Sequence, residues 1–392
     1  MSAHQLSFSS MILHVIDNLF PESGGPPTVV IEFARHQARS GRRVAVACGK
    51  ALRTDQSRED LADRWRGLDI ELIDLGSAQH ASAAEAFEAT IKRLKPRVIH
   101  IHCMWEPLVR RAAAIARRNG VPYVISTHGM LHPYALAQKR LKKWVYLTLF
   151  GSMISGSEEM FSLNREEAAH VASRFKVKSS VFPNGVEVAE YGSADPTLFL
   201  TKFPQFKAKP FILFVGRIHP IKGIDNLVRS FALARKNGLT HDLAVVGPDG
   251  GCKADIVALV HELGVDAHVH FLGGMFGQLK RSAFAACSIF SHRPRFEGFG
   301  ITVVEGMAAG KPVVTTAECK LDGAAEANAL RMAPDTDEGF AAALLEVASN
   351  TRHATELGGR AQDWVRQTLD WEALATKADE SYSAAAARRS RG

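Results

Sequence analysis

The sequence predicts an α/β chain built from two doubly wound domains that face one another, each around a parallel sheet. Short β-branched runs alternate with helical patterns along the whole length, the signature of βα repeats. At 392 residues the chain exceeds what one hydrophobic core usually serves. The rhythm also breaks once, near residues 180–210. There Phe182-Pro183-Asn184-Gly185 is turn chemistry, Phe203 to Pro210 has no clear period, and a second βα series then begins.

Taken in order, the first strand spans residues 11–16, and a Gly-Gly-Pro-Pro loop (Gly24 to Pro27) leads into an amphipathic helix. Val29, Val30, Phe33, Ala34 and Ala38 share its apolar face, and Gly41 ends it before a strand at 43–47. Residues 98–102 and 123–127 read as further strands, each after a basic helix. The second series runs through strand 211–215, helix 224–234, strand 242–246, helix 253–263 and strand 269–271. Helix 279–286, strand 288–291, helix 302–309 and strand 312–315 follow, and the chain is helical and Ala-rich from Gly339 to a basic end. The domains expected are therefore 1–190, 191–370, and a terminal helix and basic tail over 371–392.

Composition excludes more than it assigns. Hydrophobic residues at 46% and charged residues at 23% are ordinary globular proportions and argue against wholesale disorder. Five scattered cysteines without a C-x-x-C pair support neither a disulfide framework nor a zinc site, and a cytoplasmic setting is expected. Met1 to Ser10 is polar and lacks a secretory pattern, and 144–154 is too short to span a bilayer. The net charge of +7 does not by itself point to nucleic acid, and no nucleic-acid partner is expected. His100 and His102 alternate on a strand beside Cys103, but with no carboxylate spaced to join them they suggest core or loop roles, and no metal site is expected. A Walker loop and a G-x-G-x-x-G after the first strand are both absent.

Two constellations carry chemistry, both in strand-to-helix loops, where open α/β sheets bind ligands. The first is Val215-Gly216-Arg217-Ile218-His219-Pro220-Ile221-Lys222-Gly223. Glycines at both ends permit tight turns, and two cations five residues apart can converge on a diphosphate near a helix start. The same residues also fit a surface loop with two solvated bases. The second is Arg295-Phe296-Glu297-Gly298-Phe299-Gly300-Ile301-Thr302-Val303-Val304-Glu305. Ionised carboxylates accept hydrogen bonds only, so one Glu can hold a hexose and the other a ribose. Backbone N–H groups of Gly298 to Ile301 are then expected to stay free for phosphate oxygens.

Together with Gly306-Met307-Ala308-Ala309-Gly310-Lys311-Pro312-Val313-Val314, the paired glutamates and the Arg–Lys loop resemble family-four retaining glycosyltransferases of the GT-B fold. The likeness extends to Gly24-Gly25, Thr127-His128-Gly129, Pro183-Asn184-Gly185-Val186, Val246-Gly247-Pro248-Asp249-Gly250 and Val269-His270-Phe271-Leu272-Gly273. His128-Gly129-Met130-Leu131 followed by Pro133-Tyr134-Ala135-Leu136 resembles bacterial enzymes of exopolysaccharide or lipopolysaccharide assembly.

The resemblance implies two facing Rossmann-like domains, with the terminal helix returning to the first. It implies a retaining transfer of a hexose-type sugar from a UDP- or GDP-linked donor to a glycan or lipid-linked acceptor hydroxyl, with no cofactor and no metal. Arg217 and Lys222 would bind the donor diphosphate, Glu305 the ribose and Glu297 the hexose, with Gly298, Phe299, Gly300 and Ile301 lining sugar and phosphate. Gly24 and Gly25 would let a first-domain loop approach the diphosphate, His128 would sit above the reacting sugar, and Gly247 and Leu272 would border the base. The chain departs from the pattern at Gly306, where Ala is usual at a helix cost of about 1 kcal/mol. It departs again at Ala317 to Gly323, which replaces a Gly-Gly-x-x-Glu stretch.

A sugar-nucleotide epimerase of the same fold and a non-catalytic nucleotide-sugar binder are the alternatives. Residues 134–153 join Lys139, Arg140, Lys142 and Lys143 to Leu136, Leu141, Trp144, Tyr146, Leu147 and Phe150. This segment suits either an anionic membrane surface on the inner face or a helix whose apolar side is core.

Overall fold

The computed structural model describes residues 11–20, 25–50, 55–76 and 81–389. Gly24 lies outside the described residues. The chain forms two compact units. The first comprises Met1–Gly185 with Trp371–Gly392, and the second Val186–Asp370. The first crossing thus falls at Gly185, where the sequence suggests residue 190. A Cβ at Gly185 would stand 2.4 Å from the Trp371 ring, so this turn can carry no side chain against the returning helix.

The first unit holds seven parallel strands, β1 (Met11–Asn18), β2 (Arg43–Lys50), β3 (Ile70–Asp74), β4 (Val98–His102), β5 (Tyr123–Ser126), β6 (Glu159–Ser162) and β7 (Ser179–Val181). Their order is β3-β2-β1-β4-β5-β6-β7. β4, β5 and β6 are buried at every residue, as central strands of a parallel sheet covered on both faces are. Helix Pro107–Arg118 begins with Pro, buries Leu108, Val109, Ala112, Ala113, Ile115 and Ala116, and turns its arginines outward. The terminal helix Trp371–Arg389 seats Trp371, Leu374, Ala378, Tyr382 and Ala385 among Ile12, Phe33, Val98, Phe161 and Phe182.

The second unit holds β8 (Phe211–Val215), β9 (Asp242–Val246), β10 (Val269–Gly273), β11 (Ile289–His292), β12 (Val313–Thr315) and β13 (Arg331–Met332). These are ordered β10-β9-β8-β11-β12-β13 and are again parallel. In each sheet the order reverses once, between β1 and β4 and between β8 and β11, and crevices at such reversals are where doubly wound sheets take ligands. This is the GT-B architecture, two Rossmann-like domains of seven and six strands. The sequence reading does not isolate β3, β6, β7 or β13. β3, β7 and β13 sit at or beside sheet edges, β7 and β13 have only three and two residues, and β3 is half exposed.

Candidate functional site

In the second unit, the loop after β8 and the loop after β11 are sewn together by backbone bonds. The Arg295 N–H donates to the Ile221 carbonyl at 3.0 Å, and the Arg295 guanidinium reaches the Pro220 carbonyl and Asp225 at 2.7 Å. Gly223, at φ 60°, closes the first loop so tightly that a Cβ would stand 2.1 Å from the Arg293 carbonyl oxygen. Arg293 is itself buried, with Asp335 at 2.9 Å and Ser230 at 2.8 Å. That anchoring brings Lys222 and Glu297, 75 residues apart in sequence, into a direct ion pair.

The pair sits in a mixed field. Burial pushes the Glu297 carboxyl up, but the His292 ring and the Lys222 ammonium outweigh it and hold the group below the ordinary carboxylate range. His292, buried at the end of β11, lies 3.6 Å from Glu297; burial lowers its pKa against the pull of that carboxylate. Arg217 is exposed, and among the described residues no partner holds it. One cation of the loop is therefore committed and the other open.

Glu305 lies on the buried side of helix Ile301–Ala308. One carboxylate oxygen accepts from Lys280 Nζ at 2.7 Å, while the other is buried without a hydrogen-bond partner. Tyr191 stands beside it, its hydroxyl pushed far up by burial and then by the Glu305 charge. Phe299 is buried, and Ile301 is exposed at the helix start. The Ile301 N–H, expected to be free for phosphate, donates to the Phe299 carbonyl at 2.8 Å instead, because the chain turns sharply to enter the helix. The Phe299 and Gly300 amides have no partner among the described residues.

Gly247 ends β9 at φ 156°, and a Cβ there would stand 1.8 Å from the Gly216 carbonyl oxygen, so only glycine fits. Its N–H donates to Gly273 at 2.9 Å, which joins it to the end of β10, where Leu272 is half-buried. The Phe276 ring, 80% exposed, projects beside Gly274 and Pro248 at the same edge. Gly25, at the start of helix Gly25–Arg39 in the first unit, and Gly298 share one property. A Cβ at either would meet nothing among the described residues, so packing does not demand glycine there.

In the first unit, His128 follows β5 with φ 50°, a left-handed conformation uncommon for a non-glycine residue and a frequent mark of functional loops. Burial lowers its pKa to about 4. Its Nε2 meets His102 Nδ1 at 3.1 Å, and behind His102 stand His14 and His100. Nitrogens of His14, His100 and His102 lie within 4.8 Å of one another, a spacing that would suit a metal. All of their named nitrogens are instead engaged with one another or with Gln37, Ser126, Tyr382 and His128.

Two family models match the chain. "Glycosyl transferase 4-like domain" covers residues 24–185, and "Glycosyl transferases group 1" covers residues 199–364. The chain belongs to the family-4-like glycosyltransferases of the GT-B fold. It is 27% identical over 309 residues to a GDP-mannose:cellobiosyl-diphosphopolyprenol alpha-mannosyltransferase of Xanthomonas oryzae pv. oryzae, 76% of each chain being covered. It is 26% identical over 325 residues to a D-inositol 3-phosphate glycosyltransferase of Frankia alni, covering 76% of this chain and 78% of that one. The Anabaena HepE structure with UDP and glucose superposes with a TM-score of 0.71 at 20% identity, over 96% of this chain and 100% of that one.

This glycosyltransferase carries residues that the sequence reading did not single out. Lys280, Tyr191 and His292 stand against the paired glutamates, Arg293 anchors the loop after β11 through Asp335 and Ser230, and His14, Gln37 and Tyr382 stand behind His128. His292-Arg293, at the close of β11, is the one local signal for two of them. The first unit also carries a groove of about 470 Å³. Arg140, Lys143, Arg174 and His170 line it with Leu136, Trp144 and Leu147. The basic segment breaks into helices Pro133–Ala137, Arg140–Phe150 and Ser152–Ser155, with Lys139 left-handed between the first two. Tyr146 turns inward and donates to the Met104 carbonyl at 2.9 Å, whereas Leu141, Trp144, Val145 and Leu149 stay exposed. Among the described residues no helix is long and apolar enough to cross a membrane.

Proposed function

We propose that the enzyme transfers a hexose-type sugar, with retention of anomeric configuration, from a UDP- or GDP-linked donor to a hydroxyl of a lipid-linked glycan in bacterial surface-polysaccharide assembly. The observation that carries this reading is the junction of Lys222 with Glu297 beside the open Arg217. It offers cations for a diphosphate and an acceptor for sugar hydroxyls within one pair of loops. On donor binding, Arg217 and Lys222 take the diphosphate, Glu297 exchanges part of its ion pair for hexose hydroxyls, and the unpartnered oxygen of Glu305 accepts from the ribose. Gly247 and Leu272 border the base and Phe276 offers it a ring face, while Gly298, Phe299, Gly300 and Ile301 leave room for sugar and phosphate. His128 faces the reacting sugar.

The reaction is a front-face displacement. The bond from the anomeric carbon to the phosphate oxygen breaks as the bond to the acceptor oxygen forms on the same face. The acceptor proton passes to the departing diphosphate, whose charge Arg217 and Lys222 stabilise. These two cations supply the positive charge, so neither a metal nor a cofactor beyond the substrate is required.

The lipid-linked acceptor and the inner-face location rest on the exposed apolar residues and cations of helix Arg140–Phe150 and its groove, and on the diphosphopolyprenol named for the Xanthomonas relative. Proton NMR of the product, run with and without EDTA, tests the chemistry. An inverted product overturns retention, and inhibition by EDTA relieved by Mg²⁺ overturns the metal-free mechanism. Epimerised nucleotide sugar formed without any acceptor would overturn transfer itself.

A further inference from the structure

One face of the first unit's sheet carries four polar side chains where apolar ones are the rule: His14 on β1, His100 and His102 on β4, and Ser126 on β5. Gln37 reaches them from helix Gly25–Arg39 and Tyr382 from the terminal helix. All six are buried, and they bond in two strings that meet at the Gln37 amide. In the first, His14 Nε2 lies 2.7 Å from Gln37 Oε1, His14 Nδ1 lies 3.0 Å from His102 Nε2, and His102 Nδ1 lies 3.1 Å from His128 Nε2. In the second, Gln37 Nε2 donates to the Tyr382 hydroxyl at 3.4 Å, the hydroxyl meets His100 Nδ1 at 2.6 Å, and His100 Nε2 meets the Ser126 hydroxyl at 2.7 Å.

The amide sets the direction of the first string. A carbonyl oxygen only accepts, so His14 must carry its proton on Nε2. A neutral ring has one N–H, so His14 Nδ1 accepts and His102 must donate from Nε2. The same step repeats once more: His102 Nδ1 accepts, and His128 donates inward from Nε2. The outward nitrogen of His128, Nδ1, is left as a bare lone pair, and among the described residues nothing occupies it. Burial favours neutral rings throughout. It pushes His14 and His128 down to about 4 and is the leading cause of the lowered values at His100 and His102, each ring further opposing charge on its neighbours. No carboxylate is among the groups that act on the four rings.

We propose that Gln37, His14 and His102 are positioning residues that fix His128 as a neutral imidazole protonated on Nε2, presenting Nδ1 to a hydroxyl group of the bound sugar substrate. The sugar-facing role of His128 rests on the proposed transfer reaction; the tautomer chain does not. A ring so held accepts a hydrogen bond and cannot donate one outward, so it discriminates in favour of a hydroxyl and against a bare ether or carbonyl oxygen at that position.

Full-length protein labelled with ¹⁵N at histidine reports each tautomer by long-range ¹H–¹⁵N correlation. His14→Gln, His102→Gln and His128→Gln supply the assignments. At pH 7.5 the expected result is a neutral Nε2–H ring at all three positions. An Nδ1–H ring or an imidazolium at position 128 overturns the proposal, as does stoichiometric zinc in the purified enzyme held by these nitrogens. Gln37→Leu removes the acceptor that directs the chain. It should give mixed tautomers at His128 and lower kcat on the order of tenfold with donor KM little changed. An unaltered His128 spectrum with unaltered kcat in that variant would also overturn it. Should Gln37→Leu fail to fold, the wild-type spectrum decides alone. An Nε2–H ring in a protein that transfers no sugar would fault the transfer reading and leave the chain standing.

Discussion

The two units hold their candidate groups by opposite means. In the second, after β8 and β11, Lys222, Glu297 and Arg217 gather charge near solvent, with Glu297 held ionised by its neighbours. In the first, His14 and His102 lie buried in the sheet interior and link by hydrogen bonds to His128, which is half-buried in the loop after β5. A diphosphate calls for cations that can be drawn off an ion pair, whereas a reacting sugar calls for a fixed direction of hydrogen bonding. The same architecture can hold either arrangement because each loop inherits its surroundings from the residues behind it.

The largest expected effect breaks the charged half. Arg217→Ala and Lys222→Ala should each lower kcat on the order of 10²–10³, the range seen when one donor to a developing negative charge is removed. The two variants should differ in one respect. Lys222→Ala strands Glu297, whose carboxyl then loses a cation that holds its pKa down, so its turnover should fall further on acidification than that of Arg217→Ala. Steady-state rates from pH 5 to 8 read both outcomes, and near-normal turnover in two folded variants would remove the loop from the donor site.

Acid should distinguish the units next. His14 titrates near 4 when folded against an ordinary 6.5, so between those values the unfolded chain binds one more proton. Stability is therefore full above about 6.5, falls by about 1.4 kcal/mol per pH unit for that ring on acidification, and levels off below its folded pKa. The first unit adds His100, His102 and His128 in the same sense, while the second has His241 and His292, the latter partly offset by Glu297. Hydrogen exchange corrected for intrinsic rates should show β1 and β4 losing protection faster than β8 and β11 between pH 6.5 and 4.5. Equal loss in both sheets would mean that the histidine chain is not held neutral.

Gly306 sharpens the comparison at the level of packing. The sequence shows it as a helix defect, yet a Cβ there would stand 2.9 Å from Phe290 Cγ and 3.0 Å from its Cβ. Gly306→Ala should gain about 1 kcal/mol of helix propensity and lose about 1–3 kcal/mol to overpacking. The net expected result is a modest fall in denaturation midpoint. It should come with a weaker donor KM, because Phe290 is two residues before His292 on β11. A stabilised variant would show that the contact relaxes at no cost.

What was legible in the sequence follows the range of the interactions. Buried central strands such as β4, β5 and β8 announce themselves because every residue is apolar or enclosed, and the Gly-bounded loops show where backbones must approach. The conjunction of Lys222 with Glu297 could be inferred only from resemblance, since it depends on Arg295 and Gly223 sewing two distant loops together. The histidine chain was illegible for a sharper reason. His100 and His102 visibly alternate, but their partners arrive from residues 14, 37 and 382, and nothing local marks a Gln or a Tyr in an amphipathic helix as facing inward to a histidine. The Ile301 amide shows the converse: a helix start suggests free donors, and the turn into the helix used one of them.

The smallest effect expected per residue concerns the outside of the first unit. Helix Arg140–Phe150 exposes Leu141 at 74%, Leu149 at 66% and Trp144 at 56%, next to a groove lined by Arg140, Lys143 and Arg174. Helices near a membrane surface gain from both features, with about 1 kcal/mol for each basic residue close to anionic lipid, fading within a Debye length of about 8 Å at physiological salt. The inward turn of Tyr146 and the seat of Phe150 beneath Arg110, 3.9 Å from the ring, show that part of the apolar face is already used by the protein. The remaining contact is therefore weak and electrostatic in large part. The enzyme should float with vesicles containing anionic lipid at low salt, much less at 0.5 M salt, and little with neutral vesicles. Lys142→Glu lies outside the groove lining and should reduce flotation while leaving transfer to a soluble acceptor unchanged. Trp144→Ala should reduce it at both salt concentrations, because its share is apolar. Failure to float with anionic lipid at low salt would favour a water-soluble acceptor.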